Sequence, residues 1–232
     1  MSVRSRWIDV AWALFTNLFV LSGVIAWGWP PGNVFVLFWI ENVILGAVTA
    51  VRILTAEGAD APGSTDGPRW ATAGFFVMHY GIFALVHGAF VAVIAIGIGL
   101  SWDWWTLGLP AVVIALRYLV DLATVWFLGG QRRSVGPGQA FASPYPRLIV
   151  LHFATLLGFA FAMPFGRTAS FIGQLMAQVQ RLFSGFGVTL SQGAALVALL
   201  MLLKTIADVA LILRRGRPVR MRFRSGRPVE PE

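Results

Sequence analysis

Apolar residues along this chain come in blocks of about 20, the length at which a helix crosses the hydrocarbon core of a bilayer. The blocks lie near 8–28, 33–54, 72–100, 105–128, 147–165 and 189–213. They predict an all-α, polytopic six-helix transmembrane bundle. The first block is too long and too aromatic, and too poor in a small-residue cleavage site, for a removable signal peptide, so it reads as a permanent helix. Between the fifth and sixth blocks the pattern changes. Phe171, Leu175, Val179, Leu182, Phe183 and Phe186 recur at helical spacing opposite Arg167, Gln174, Gln178 and Arg181, which predicts an amphipathic helix in the outer interface. Residues 1–213 thus form one transmembrane domain, and 214–232 a basic tail expected to be disordered.

Polar residues between the blocks set the orientation. Arg4, Arg6, Arg52, Arg69, Arg132, Arg133, Arg147 and the tail from Arg214 to Arg227 fall on one side, and only Arg167 and Arg181 on the other. The excess of basic residues marks the cytoplasmic side, so both termini are expected there. Trp27, Trp29, Trp102, Trp104 and Trp105 then line the outer interface as an aromatic belt. Turns at 29–32 and 101–103 are tight, whereas the inner segments 57–68 and 129–146 are small, polar or rich in Gly and Pro and read as mobile.

Composition narrows the chemistry. Of 232 residues 57% are hydrophobic and 12% charged, with a net charge of +8 and no cysteine. A mean hydropathy of +0.75 belongs to a bilayer protein. Without cysteine there is no disulfide framework, thiolate zinc site or thiol nucleophile. The basic excess sits at segment ends and in the tail, where anionic lipid headgroups are the expected partner; no nucleic acid is implied. The expected location is the inner (cytoplasmic) membrane of the cell, crossed several times.

An internal echo relates the blocks. VMHYGIF in the third resembles VLHFATL in the fifth, and LRYLVDLATVWFLGGQRR resembles LLKTIADVALILRRGR. Helices three plus four and five plus six read as two copies of one hairpin. In a looser first copy Glu41 takes the place of Asp121 and Asp208, and Asn17 stands near the histidine position. Such an arrangement would bring the three carboxylates to a common axis.

Ionisable residues inside the blocks are the candidates for function, because each costs at least a few kcal/mol in hydrocarbon unless it is paired or hydrated. They are Glu41, His79, His87, Arg117, Asp121, His152, Lys204 and Asp208, which include every histidine of the chain. At about 1.5 Å per residue, His79, Asp121, His152 and Asp208 lie roughly 8–12 Å in from the cytoplasmic ends, with the others further out. Imidazole and carboxylate are the ligands for a divalent transition metal, zinc or iron first, in a cysteine-free site. His79, His87, Asp121, His152 and Asp208 are therefore the predicted metal ligands. Glu41, Tyr80, Arg117 and Lys204 are the predicted catalytic groups of a hydrolase or oxidoreductase acting on a lipid or other membrane-soluble substrate. No sharp ligand motif such as HExxH is present. There is also no GxSxG for serine catalysis, and a haem held between His152 and His79 or His87 fits poorly beside three acids.

Two other readings compete. Carboxylates and histidines in chains also make proton or cation pathways. Alternatively, Arg117 with Asp121 and Lys204 with Asp208, both spaced i,i+4, neutralise one another within their helices, and the histidines are polar ties.

LFWIENVILGAVTAVRIL, FFVMHYGIFALVHGAF, RLIVLHFATLLG and LLKTIADVALIL resemble the hallmark stretches of a prokaryotic membrane family, domain of unknown function 6498. The likeness spans helices two to six and rests on Glu41-Asn42, His79-Tyr80-Gly81 with His87, Leu151-His152, and Lys204-Thr205 with Asp208. It implies no activity.

Overall fold

The computed structural model describes residues 3–60, 68–162 and 167–214. They form eight helices and no strand: α1 (Val3–Ala26), α2 (Pro31–Thr55), α3 (Arg69–Ile98), α4 (Trp104–Leu128), α5 (Pro137–Ala142), α6 (Tyr145–Ala162), α7 (Arg167–Ser184) and α8 (Gln192–Arg214). Among the described residues four stretches are long and apolar enough to cross a membrane, namely Pro31–Thr55, Arg69–Ile98, Trp104–Leu128 and Gln192–Ala210. The chain is therefore a multi-pass membrane protein by its helices. The expected tail falls outside the described residues, apart from Arg214.

Local chemistry sets the helix ends. Pro31 occupies the first turn of α2, where its missing N–H costs nothing. Gly28 turns the chain with φ of +68°, and the Trp29 N–H donates to the Gly23 carbonyl at 3.0 Å. Asp103 caps α4, its Oδ2 accepting from the backbone N–H of Thr106 at 2.9 Å and from its hydroxyl at 3.1 Å. Asn33 then joins the starts of α2 and α4: its Nδ2 donates to Thr106 Oγ1 at 2.9 Å and its Oδ1 accepts from the Ser101 N–H at 2.9 Å. Both ends of α4 are π-helical turns, Trp104–Gly108 and Leu122–Leu128, a geometry that shifts the facing of the side chains that follow. The second accompanies the burial of Trp126, whose indole donates to Thr55 Oγ1 at 2.8 Å.

α2 is the hub of the bundle. It packs most extensively on α3 and also meets α4, α5, α6 and α8, while α1 lies against α8. The closeness of α2 and α3 depends on glycine: a Cβ at Gly32 would run into the backbone carbonyls of Ala95 and Gly99, and one at Gly46 into the Tyr80 ring. One apolar core joins Val34, Phe35 and Phe38 of α2 to Val91 and Ile94 of α3, Leu151 of α6 and the buried face of α8. Sequence neighbours α2 and α3 pack together, but α1 pairs with α8 from the far end of the chain. α4 packs on α2, and the expected hairpin of helices three and four is not a packing unit.

Two further expectations change. The start of segment 57–68 is tied down: the Glu57 N–H donates to Arg132 O at 2.7 Å, the Gly58 N–H to Val135 O at 3.1 Å, and the Asp60 carboxylate accepts from the Gly138 N–H at 2.9 Å. Residues 61–67 lie outside the described set. Segment 129–146, expected to be mobile, holds a short turn at Gln131–Arg133 and α5, which packs on α2 and α3. At the predicted amphipathic stretch α7 forms and packs on α6 and α8, with Met176 buried. Trp27, Trp102, Trp104 and Trp105 are exposed at one end of the bundle, consistent with an aromatic belt there.

Candidate functional site

The histidines come first, because the metal expectation rests on them. His87, buried on α3, donates from Nδ1 to the carbonyl of Phe83 at 2.8 Å, since a carbonyl can only accept. Its neutral Nε2 therefore accepts from Nδ1 of His152 on α6, at 2.9 Å. That separation is a hydrogen bond, and both nitrogens of His87 are occupied by protein partners. His79 lies on the exposed side of α3, stacked on Phe75 and within 3.2 Å of the Tyr145 hydroxyl. Asp121 pairs with Arg52 at 2.5 Å and Asp208 with Lys204 at 2.7 Å.

Equal depth therefore did not mean convergence. Position around the helix axis, which depth along the chain does not report, sends these groups to different neighbours. Among the described residues no group of three or more His, Asp or Glu side chains is placed to hold a metal ion. The donor set His79, His87, Asp121, His152 and Asp208 does not fit one ion in this geometry.

Tyr80, one of the predicted catalytic groups, points away from His79 because consecutive helical residues are turned by about 100°. It is buried against Gly46, and its hydroxyl donates to the Asn42 carbonyl at 2.9 Å, tying α3 to α2. Nor does Arg117 neutralise Asp121; it rests over the Tyr118 ring, 5.6 Å from the centroid. The i,i+4 pair Lys204–Asp208 does form.

What the structure assembles instead is a charged group between α1, α2, α4, α6 and α8. The Tyr118 hydroxyl donates to Glu41 Oε1 at 3.0 Å and accepts from Arg147, whose Nη1 also lies 3.8 Å from Glu41 Oε1. Beside it Lys204 binds Asp208, and buried Asn17 donates to Thr205 Oγ1 at 3.1 Å and Asp208 Oδ2 at 3.4 Å. Glu41, Arg147, Lys204 and Asp208 surround a space of about 20 Å³, the size of one water molecule.

Glu41 and Lys204 also line a second, larger cavity of about 490 Å³, within the range of small-molecule sites. Its walls are mainly apolar, among them Phe19, Val34, Leu37 and Val113. Trp29, Asn33, Trp105 and Thr106 lie toward the Trp-rich end and Glu41, Arg117 and Lys204 toward the middle of the helices. Three of the four predicted catalytic residues are therefore on one wall system. Sequence reasoning missed Tyr118 and Arg147. Tyr118 follows Arg117 directly and was the unassigned polar residue of that apolar run, whereas Arg147 looked like an orientation charge at a helix start.

The fold and this site define a class: an all-helical, multi-pass membrane protein with a charged group inside its helix bundle at the end of an apolar cavity. The chain belongs to a family of unknown function (DUF6498), whose family model matches residues 1–222. No curated protein and no solved structure matches it.

Proposed function

We propose that this protein acts on a lipid or other membrane-soluble amphiphile. The ligand's apolar body lies in the 490 Å³ cavity and its polar end against Glu41 and Lys204. The observation that carries this reading is the shape of that cavity: apolar along its length and charged at one end, the distribution of an amphiphile itself. In the same reading the chain has six spans, α1, α2, α3, α4, α6 and α8, with both termini cytoplasmic in a prokaryotic inner membrane and the basic tail on anionic headgroups. The arginine distribution supports this orientation. Glu41 and Lys204, each held by a second group, are the residues to exchange protons with the bound end.

Val113→Trp tests it, since Val113 lines the cavity and is exposed enough to accept bulk. Val77→Trp, equally exposed on α3 and outside the cavity, is the control. Mass spectrometry of extracts from protein purified in native nanodiscs should find an amphiphile retained by wild type and Val77→Trp and lost from Val113→Trp. The same lipid profile in all three would sink the proposal.

A second reading, a proton or cation carrier, is favoured by one observation. The ion pairs Glu41–Arg147 and Lys204–Asp208 face one another across the water-sized space, and Glu41 and Lys204 also face the cavity. Ion-dependent flux in vesicles, abolished by Glu41→Gln, is its test.

A further inference from the structure

The charged wall of the cavity is not electrically closed, and the open member is Arg117. Of the three charged residues lining the cavity, Glu41 is engaged by Tyr118 and Arg147, and Lys204 by Asp208. Arg117 forms no ion pair and donates no hydrogen bond to a described residue; its one contact of this kind is the face of Tyr118. The carboxylate one turn away, Asp121, is held by Arg52 at 2.5 Å. Arg52 also lies over Trp126, so the competing pair is fixed by the packing of α2 on α4.

Depth makes this consequential. Arg117 is 14 residues from Asp103 and 11 from Leu128, about 21 Å and 16 Å along the axis. It is therefore near the middle of its span, too far from either helix end to snorkel freely. A guanidinium stays protonated in a protein, and an uncompensated one at mid-membrane is costly. Its planar fork of donors matches a carboxylate or phosphate in two parallel hydrogen bonds.

We infer that the amphiphile taken by this cavity is anionic, a carboxylate or phosphate on an apolar body, and that Arg117 is the residue that selects the charge. This rests on the amphiphile reading above and adds the class of ligand. The anionic end sits between Arg117 and Lys204, and Glu41, held by Arg147 and Tyr118, limits the site to a ligand of low charge.

Trp29 and Trp105 line the cavity, so intrinsic fluorescence of the full chain in nanodiscs of neutral lipid reports occupancy. The probes are one alkyl chain carrying a carboxylate, a phosphate, a hydroxyl or an ammonium end, with inorganic phosphate as competitor. The carboxylate and phosphate should bind at least about tenfold more tightly than the alcohol, the equivalent of about 1.4 kcal/mol. Arg117→Gln should remove that preference while the alcohol binds as before, and Arg117→Lys should restore part of it. Equal binding of all four ends, or a preference that survives in Arg117→Gln, overturns the inference and leaves the amphiphile reading standing. Binding of none of the probes overturns both. Displacement by inorganic phosphate at a similar concentration overturns the amphiphile class and retains Arg117 as an anion contact.

Discussion

His87 on α3 accepts a hydrogen bond from His152 on α6 across 2.9 Å, with its own Nδ1–H committed to the Phe83 carbonyl. Two of the three histidines predicted as metal ligands thus form a polar tie between helices, the type of contact that holds bundles together where lipid removes the usual hydrophobic drive. His87→Ala leaves the His152 donor without its acceptor and removes a ring stacked at 3.7 Å on Phe83. It should destabilise the protein by about 2 kcal/mol in equilibrium unfolding in mixed micelles. His79→Ala, on the exposed side of α3, should change stability little. Equal losses from the two variants would contradict the assignment.

Glu41, Tyr118 and Arg147 should behave as one unit. Arg147→Leu leaves Glu41 inside the bundle without its ion-pair partner, a loss of about 3 kcal/mol on insertion scales. Glu41→Leu leaves the opposite charge and should cost a similar amount. The double variant should recover most of either loss, and the coupling energy from the four unfolding curves measures this directly. Additive losses would mean that the 3.8 Å approach of the two groups carries no energy.

Glycines divide by what stands against them. Gly32→Ala would press a methyl group into the carbonyls of Ala95 and Gly99, where no side chain can rotate away, and should cost about 1–3 kcal/mol. Gly81, beside the family-like histidine, has open space around it. Gly81→Ala should be neutral or stabilise the protein by up to about 1 kcal/mol. Thermal unfolding of the two variants in one detergent settles the contrast.

Orientation has a clean assay because the chain has no cysteine of its own. Trp102→Cys should react with a membrane-impermeant maleimide from outside intact cells, and Ser134→Cys only after the membrane is opened. The reverse pattern would invert the proposed topology.

Much of the architecture was legible along the chain, since helices in a bilayer must satisfy their own backbone and so appear as apolar runs of set length. The blocks at 33–54, 72–100 and 105–128 correspond to α2, α3 and α4 within a few residues, and the amphipathic pattern at 165–188 corresponds to α7. The Lys204–Asp208 pair was legible too, because an i,i+4 spacing places both groups on one helix face. The same rule failed for Arg117 and Asp121, where an arginine from α2 lies closer to the carboxylate.

Membrane class and the short inventory of costly interior charges follow from composition and periodicity, because burying charge in hydrocarbon is penalised wherever it occurs. Which charge meets which is a different matter. Depth is written in residue number, but rotation about each axis and the choice of neighbouring helix depend on side-chain packing, such as Gly32 admitting α3 and the π-helical turns of α4 redirecting Trp126. That packing parted the histidines from the carboxylates, drew Tyr118 and Arg147 to Glu41, and left Arg117 on the cavity wall with no ion pair to a described carboxylate.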